Sequence, residues 1–331
     1  YFLIVWDYVK YAKKSGILVG PGRGSAPASL VSYALGITDV DPIKHQLLFE
    51  RFLNIERISM PDIDIDFPDN ERDTVIRYVG SRYGMNRVAH IATFATFGPK
   101  SAIRDIARLL KTSNDDVDYL MKAMSSNPKS INDEYKNNKK FKDLLDIHPN
   151  YKTICSLASN MEGLKRQVGL HAAGMILSND NLDTLVPTFE CDENTLAIQY
   201  DYVLAEKMGL IKMDFLGLKN LTIIEYCINK INEKYNTSYT IENFPFDEKS
   251  SYDQISSMQT LGLFQLESEG MNKVIGKLKP SCFNDIVALL ALYRPGPMDN
   301  IETYIDRKFN GNYSIDSAIE DILKPTYGII I

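Results

Sequence analysis

Hydrophobic and acidic residues alternate strictly between Pro61 and Phe67. Successive side chains of a β-strand point to opposite faces, so this alternation predicts a strand with one apolar and one acidic face. Asp62, Asp64 and Asp66 would share the acidic face. The strand is predicted to end at the proline that follows.

Apolar residues recur at helical spacing in the regions on either side of this strand. Residues 1–18 carry apolar positions that predict a helix and then a strand. A glycine-rich turn follows, and we expect a helix from about Ala26 to Leu35 with Ser25 as its N-cap. Asp69 and Asn70 are predicted to cap a further helix, because apolar residues recur after them at helical spacing.

The middle of the chain predicts an insertion within a sheet. Residues 110–160 are polar, lysine-rich and helical in pattern, which favours a small inserted helical domain. Strand-like patterns return at 173–177 and 210–215, so one sheet is expected to contain strands from both sides of the insertion. A final helical region is predicted to begin near Leu221.

Composition favours a soluble globular protein of two or three domains, with 331 residues of which 44% are hydrophobic and 24% charged. No apolar run approaches the roughly 20 residues of a membrane span, and no targeting segment is recognisable, so we expect a cytoplasmic protein without membrane contact. Four separated cysteines favour reduced thiols. The chain begins with Tyr and ends within an apolar run, and we interpret it as a fragment.

The net charge of −6 does not favour a nucleic-acid partner, but the local balance does. Seven basic and two acidic residues between Arg72 and Arg108 leave a local charge of +5. Within this stretch, Lys100, Arg104 and Arg108 are predicted to form a basic stripe on a helix, which could contact a DNA backbone. A solvated amphipathic helix is an equally good interpretation of this element alone.

The three stacked carboxylates are the strongest chemical signal. Like charges this close disfavour one another unless a cation compensates, and carboxylate oxygens suit Mg²⁺. A solvated acidic edge strand is the alternative. A calcium loop ranks third, because it requires Gly and Glu where this chain has Phe67 and Asp73. Lys212 and Asp214 could complete a two-metal phosphoryl-transfer site, although a surface ion pair is the default interpretation of this pair alone.

The glycine-rich turn could hold a phosphate on its backbone N–H groups, with Gly24 and Ser25 at its end, or it could be only a tight turn. The turn matches neither the phosphate-loop nor the dinucleotide pattern. If Ser25 is the N-cap, Pro27 lacks an N–H that could serve the cap or a phosphate.

Eight segments together resemble the C-family bacterial replicative DNA polymerases, in the family's order and over essentially the whole chain. They are Gly22–Ser25, Leu48–Asn54, Pro61–Phe67, Gly169–Gly174, Lys212–Leu218, Phe264–Ser268, Tyr293–Pro297 and Pro325–Ile330. The family usually has a small residue and then Gly where this chain has Pro27 and Ala28, so we expect weaker nucleotide binding here.

The resemblance implies an α+β fold with a polymerase-beta-like nucleotidyltransferase palm, an inserted helical thumb and a mostly helical, truncated fingers domain. The implied boundaries are palm 1–93, thumb 94–168, palm 169–219 and fingers 220–331.

The resemblance also implies site residues, which are assigned by role. The metal-binding and catalytic residues would be Asp62, Asp64 and Asp214, the nucleotide-binding residues Gly24, Ser25, Arg51, Lys212 and Arg294, and the DNA-binding residues Lys100, Arg104 and Arg108. Asp66 is carried over only as a supporting acid.

The implied function is template-directed DNA synthesis with two Mg²⁺ ions. Its partners would be primer-template DNA and deoxynucleoside triphosphates, and a sliding clamp and other replisome subunits that bind outside these residues. A non-catalytic nucleic-acid-binding or assembly subunit that kept the fold is the alternative, and a nucleotidyltransferase for a small acceptor is a third class.

Overall fold

The computed structural model describes residues 1–56, 61–192 and 195–331. The six strands found among these residues form one mixed β-sheet. The strands are β1 (Asp64–Pro68), β2 (Val88–Thr96), β3 (Lys165–Leu177), β4 (Thr188–Asp192), β5 (Thr195–Ile198) and β6 (Ile211–Leu218). Their order in the sheet is β1-β6-β3-β2-β5-β4. Strand β3 runs antiparallel to both β2 and β6, whereas β2 and β5 are parallel.

The chain divides into two compact units, of which the first comprises Tyr1–Phe67 and Glu71–Gly217 and the second Pro68–Asn70 and Leu218–Ile331. The helices of the first unit are α1 (Phe2–Lys14), α2 (Leu30–Ala34), α3 (Arg72–Tyr83), α4 (Pro99–Leu109), α5 (Asn114–Ala123), α6 (Ile131–Asn137), α7 (Lys139–Ile147), α8 (Pro149–Met161), α9 (Leu182–Leu185) and α10 (Tyr202–Lys207). The second unit is helical, with α11 (Lys219–Tyr235), α12 (Lys249–Ser256), α13 (Glu269–Leu278), α14 (Phe283–Leu292), α15 (Ile301–Asn310) and α16 (Glu320–Leu323). The α+β class is therefore confirmed as one mixed sheet with many helices.

The two faces of the sheet differ in chemistry, as the alternating pattern predicts. Ile63, Ile65 and Phe67 are buried in a core that also contains residues of α1, α3 and β6. Residues at alternate positions along the strands face the other side of the sheet, where an apolar cluster lies around Ile91 of β2 and Ile198 of β5. The acidic side chains of β1 and β6 therefore share the second face.

The insertion between β2 and β3 consists of helices α4 to α8, which pack around an apolar cluster of their own. Three of these helices begin at polar residues whose side chains accept a free backbone N–H group of the first turn. Ser113 caps α5, Ser130 caps α6 and Asn138 caps α7. The strands on both sides of the insertion join the same sheet, which confirms the sequence prediction.

Several local predictions were wrong. The helix expected from Ala26 to Leu35 is broken at Ser29, where the backbone is extended, and Ser29 rather than Ser25 caps α2. No strand forms between α1 and Gly20. Asp69 and Asn70 do not cap α3, because both accept a hydrogen bond from the Thr222 hydroxyl.

The strand containing the acidic residues begins later than predicted, at Asp64, and residues 57–60 before it lie outside the described part of the chain. The final helical region begins at Lys219, two residues before the expected position. No helix among the described residues is long and apolar enough to cross a bilayer.

Candidate metal centre

Three carboxylates converge on the polar face of the sheet. Asp62, Asp64 and Asp214 each offer one oxygen, and these oxygens all lie within 4.8 Å of one another. Asp62 is exposed, Asp64 is half-buried, and Asp214 is buried with 4% of its surface exposed. The structure therefore brings together residues that are about 150 positions apart, as the sequence predicts.

The sheet order explains this convergence. Strands β1 and β6 are neighbours, so side chains that alternate with buried residues on both strands meet on one face. Met213 and Phe215 are buried on either side of Asp214 and anchor β6 in the core. Ile63 and Ile65 anchor β1 in the same way.

Asp66 belongs to the same acidic pattern but not to the cluster. Its two oxygens each accept a hydrogen bond of 3.0 Å from Nε of Arg23, and Nη2 of Arg23 lies 3.0 Å from Oδ1. A carboxylate engaged by one guanidinium in this way has its charge neutralised by the protein itself. Asp66 therefore ties the loop that contains Arg23 to β1.

Within the part of the chain that the structure describes, the negative charges of the cluster outnumber the positive ones. Burial, followed by the negative charges of Asp62 and Asp214, raises the pKa of Asp64 to about 6. Burial alone would lower the pKa of Lys212, but its bond to Asp214 and the neighbouring acids outweigh burial and raise this pKa. Among the described residues, one lysine thus faces three carboxylates, and a further positive charge would stabilise their ionised forms.

The donor set fits a divalent metal ion. Oδ2 of Asp214 lies 2.5 Å from Nζ of Lys212, whereas the buried Oδ1 has no hydrogen-bond partner among the described residues. Burying a carboxylate oxygen without a hydrogen-bond partner costs free energy. Oxygens of this kind are the ligands that a hard divalent cation prefers. The three carboxylates are therefore residues that could hold Mg²⁺.

The glycine-rich loop lies beside the cluster. Gly24 has a left-handed backbone with φ of +61°, and a Cβ at this position would lie 4.0 Å from Oδ2 of Asp64. The N–H of Gly20 donates to the carbonyl of Asp66 at 2.9 Å, which attaches the loop to β1. The loop is therefore near enough to approach a phosphate that is bound at Asp64.

The backbone N–H groups that this loop leaves free are not those of the predicted helix N-terminus. The side chain of Ser25 makes no cap, and Ala26–Ala28 form a single 3₁₀ turn. The N–H of Ala28 donates to the carbonyl of Ser25 at 3.0 Å, so it is not available to a phosphate. The predicted effect of Pro27 and Ala28 on nucleotide binding stays a prediction.

Two predicted nucleotide-binding arginines are exposed. Arg51 is exposed in the short turn Phe49–Arg51. Arg294 is exposed after α14 in the second unit. Their roles stay predictions.

The predicted basic helix forms as α4, and its apolar side is buried. The basic side is partly engaged by the protein itself, because Lys100 donates to the carbonyl of Ser126 at 2.8 Å and Arg108 pairs with Asp105 at 3.0 Å. Arg104 is exposed, and Arg108 keeps 77% of its side chain exposed. These two residues retain accessible positive charge.

Two supporting residues were missed by the sequence reasoning. Nε of Arg72 donates to the carbonyl of Phe215 at 2.8 Å, and Nη2 donates to the carbonyl of Ala172 at 2.7 Å, so this residue links α3 to β6 and β3. The hydroxyl of Tyr1 accepts from the N–H of Ile63 at 3.3 Å, between two acids of the cluster. Neither residue has a local sequence signal, because each acts on a distant backbone group.

Two family models of known protein domains match this chain. The family model described as the bacterial DNA polymerase III alpha NTPase domain matches residues 1–217. The model described as the finger domain of the same subunit matches residues 220–331. The chain belongs to the bacterial DNA polymerase III alpha family. The three clustered aspartates and the glycine-rich loop all lie within the first matched region.

Curated members of the family are similar over the whole chain. The DNA polymerase III subunits alpha of Bacillus subtilis, Campylobacter jejuni and Aquifex aeolicus are 48%, 46% and 43% identical to it. Each alignment covers 100% of this chain and 30%, 28% and 31% of the respective relative. The chain therefore spans about a third of the length of these relatives.

Proposed function

We propose that this chain forms the catalytic centre of a template-directed DNA polymerase that adds deoxynucleotides to a primer 3′-hydroxyl during chromosomal replication. The convergence of Asp62, Asp64 and Asp214 carries this proposal, because a two-metal site needs carboxylates from more than one strand. Membership of the DNA polymerase III alpha family supports the same reaction.

In the proposed reaction, Asp62, Asp64 and Asp214 hold the metal. Two Mg²⁺ ions bound there would polarise the reacting phosphate and lower the charge that opposes attack by the primer. Lys212 keeps Asp214 oriented through a 2.5 Å contact and remains cationic beside the triphosphate. Gly24 and Ser25 bring a backbone without bulky side chains close to that group.

The remaining assignments form part of the same proposal. Residues 1–93 and 169–219 would form the palm, 94–168 the thumb and 220–331 the fingers. Lys100, Arg104 and Arg108 would contact the DNA backbone, and Arg51 and Arg294 would contact the nucleotide. A sliding clamp and other replisome subunits would bind outside residues 1–331.

The alternative, a non-catalytic binding or assembly subunit, is not favoured. Such a protein has no need to keep three carboxylates within 4.8 Å of one another, because their mutual repulsion costs stability. The unpartnered oxygen of Asp214 adds to this cost. A site that is destabilised in this way is typical of function rather than of packing.

Primer extension by the full gene product that carries residues 1–331 tests the proposal. Asp64→Asn should lower the rate more than about 100-fold, because even residues that only support metal ligands contribute 10- to 100-fold. Asp39→Asn is a matched control, since this exposed carboxylate pairs with Lys13 and should change the rate less than about twofold. Equal rates for the wild type and Asp64→Asn would contradict the proposal.

A further inference from the structure

Strand β3 contains a bulge beside the metal centre. His90 pairs with Met175 and Ala92 pairs with Leu170, so residues 171–174 lie opposite Ile91 alone. A bulge of this kind redirects a side chain and is frequent next to active sites. The bulge lies within the segment Gly169–Gly174, to which the reaction proposed above assigns no role.

The imidazole of His171 is held by the backbone of its own bulge. Its Nδ1 accepts hydrogen bonds from the N–H of Gly174 at 2.7 Å and from the N–H of Ala173 at 3.3 Å. A nitrogen that accepts two N–H groups carries no proton, so the neutral ring bears its proton on Nε2. The bulge therefore selects one tautomer and leaves the Nε2–H free of the hydrogen bonds that hold Nδ1.

The ring also lies on the acidic face of the sheet. Gly174 is the cross-strand partner of Asp214, and opposite Cβ positions are roughly 4.5–5.5 Å apart. A Cβ at Gly174 would lie 2.8 Å from Nδ1 of His171. The imidazole thus occupies the space of a missing side chain, and its Nδ1 lies within about 8 Å of the Asp214 Cβ.

Glycine at 174 is what makes this arrangement possible. Any side chain there would meet the imidazole at 2.8 Å and the Ile91 side chain at 2.9 Å, both closer than van der Waals contact allows. His171 is half-buried, and within the described part of the chain no hydrogen bond of its Nε2 is found. A ligand at the metal centre could therefore reach this donor.

We propose that the Nε2–H of His171 donates a hydrogen bond to a non-bridging phosphate oxygen of the incoming deoxynucleoside triphosphate. The inference rests on the proposed function. It favours the nucleotide over the DNA backbone, because metal ions held by Asp64 and Asp214 also hold nucleotide phosphates. The same tautomer excludes Nε2 as the acceptor of the primer proton.

Two conservative substitutions of His171 separate its contact with the nucleotide from its hydrogen bonds to the backbone of the bulge. The amide oxygen of His171→Asn can take the place of Nδ1, and the amide nitrogen of His171→Gln can take the place of Nε2. His171→Asn should therefore keep the melting temperature and weaken nucleotide binding about 10- to 100-fold, the loss expected for a hydrogen bond to a charged group. His171→Gln should keep nucleotide affinity within about threefold and lower the melting temperature.

The measurement is the equilibrium Kd of a deoxynucleoside triphosphate with Ca²⁺ and primer-template DNA, made on the full gene product by calorimetry. The apparent KM and kcat of primer extension with Mg²⁺ are measured in parallel, and KM should change more than kcat. His45→Asn, at an exposed histidine, is the matched control and should change none of these values.

Three results would overturn the inference. They are an unchanged nucleotide Kd in His171→Asn, a change in DNA affinity without a change in nucleotide affinity, and an equal loss of nucleotide affinity in His171→Gln and His171→Ala. The last comparison decides the matter if His171→Asn does not fold. A wild-type protein that binds nucleotide in the His171-dependent manner but does not extend a primer would refute the proposed reaction and leave this inference standing.

Discussion

Each of the two compact units contains a buried aspartate paired with a lysine, and the two pairs serve different purposes. Lys212 lies 2.5 Å from Asp214 in the first unit, and Lys308 lies 2.9 Å from Asp285 in the second. The two aspartates are 4% and 3% exposed. The two aspartates have the same kind of partner and nearly the same burial. The surroundings of each carboxylate therefore explain why the two pairs serve different purposes.

Oδ2 of Asp285 is engaged three times within its own unit. This oxygen accepts from the N–H of Ser281 at 2.8 Å and the hydroxyl of Ser281 at 3.1 Å, in addition to Lys308. Burial raises the pKa of this carboxyl, but these hydrogen bonds outweigh burial and lower it. Lys308 also donates to the carbonyl of Leu278 at the end of α13. This pair therefore holds α13, α14 and α15 together.

Asp214 is engaged on one side only. Its Oδ1 has no partner among the described residues, and two further carboxylates lie within 4.8 Å. The comparison indicates that a buried ion pair is structural when its charges balance and its carboxylate accepts several hydrogen bonds from the protein. It indicates a binding site when a buried oxygen has no partner and negative charge is in surplus.

The largest expected effect is on stability, in the second unit. Lys308→Met leaves the charge of Asp285 buried without its cation, and we expect the free energy of unfolding to fall by about 3–5 kcal/mol. Chemical denaturation of the full gene product measures it. Lys277→Met is the matched control, because Lys277 and Glu302 form an exposed pair that should contribute less than about 1 kcal/mol.

The double variant Asp285→Asn with Lys308→Met should recover part of the loss, since it removes both charges. If Lys308→Met costs no more than Lys277→Met, the Asp285 pair is not structural and the contrast between the two units is lost.

The next effect concerns metal binding in the first unit. Mg²⁺ at about 100 times its Kd should stabilise the wild type by about 2.7 kcal/mol, and Asp214→Asn should abolish this gain while changing metal-free stability much less. Thermal unfolding with and without Mg²⁺ measures both quantities. Asp66→Asn is the matched control on the same strand, because its carboxylate pairs with Arg23; it should lose stability but keep the response to Mg²⁺.

A response to Mg²⁺ that survives in Asp214→Asn would mean that the unpartnered oxygen is not a metal ligand. Loss of the response in Asp66→Asn as well would mean that Arg23 and Asp66 organise the cluster.

The smallest effect is a difference in pH dependence. The pKa of Asp64 is about 6 in the folded chain, above its unfolded value of roughly 4, so the folded state binds the extra proton between these values. In EDTA, the stability that Asp64 contributes should therefore fall as pH rises from about 4 to 6, by about 1–2 kcal/mol after solvent screening. For Asp285, whose folded pKa is lowered, the contribution is present above about pH 4 and is lost as pH falls below it.

Asp64→Asn should remove only the first dependence and Asp285→Asn only the second, when unfolding is followed by denaturant titration at each pH. The same slope between pH 4 and 6 in the wild type and Asp64→Asn would contradict the assigned difference.

Much of the fold was predictable because it depends on local periodicity. Alternation placed Ile63, Ile65 and Phe67 in the core, and the structure buries all three. The helical pattern of 110–160 predicted an insertion, and α4 to α8 share an apolar cluster. The caps were predicted less well, because Ser, Asp and Asn can bond a distant partner instead of the adjacent helix, as Asp69 does with Thr222.

By itself, the sequence determined which acids face the same way on each strand, since side-chain direction follows from the backbone period of two. Only the tertiary structure determined which partner each of these acids has. Asp66 received Arg23 from the glycine-rich loop, whereas Asp62 and Asp64 met Asp214 across the sheet. Likewise, the motif at 169–174 was visible in the sequence, but only the register that sets Gly174 opposite Asp214 brought His171 to the site. Contacts between distant strands depend on sheet order and register, which no local pattern contains.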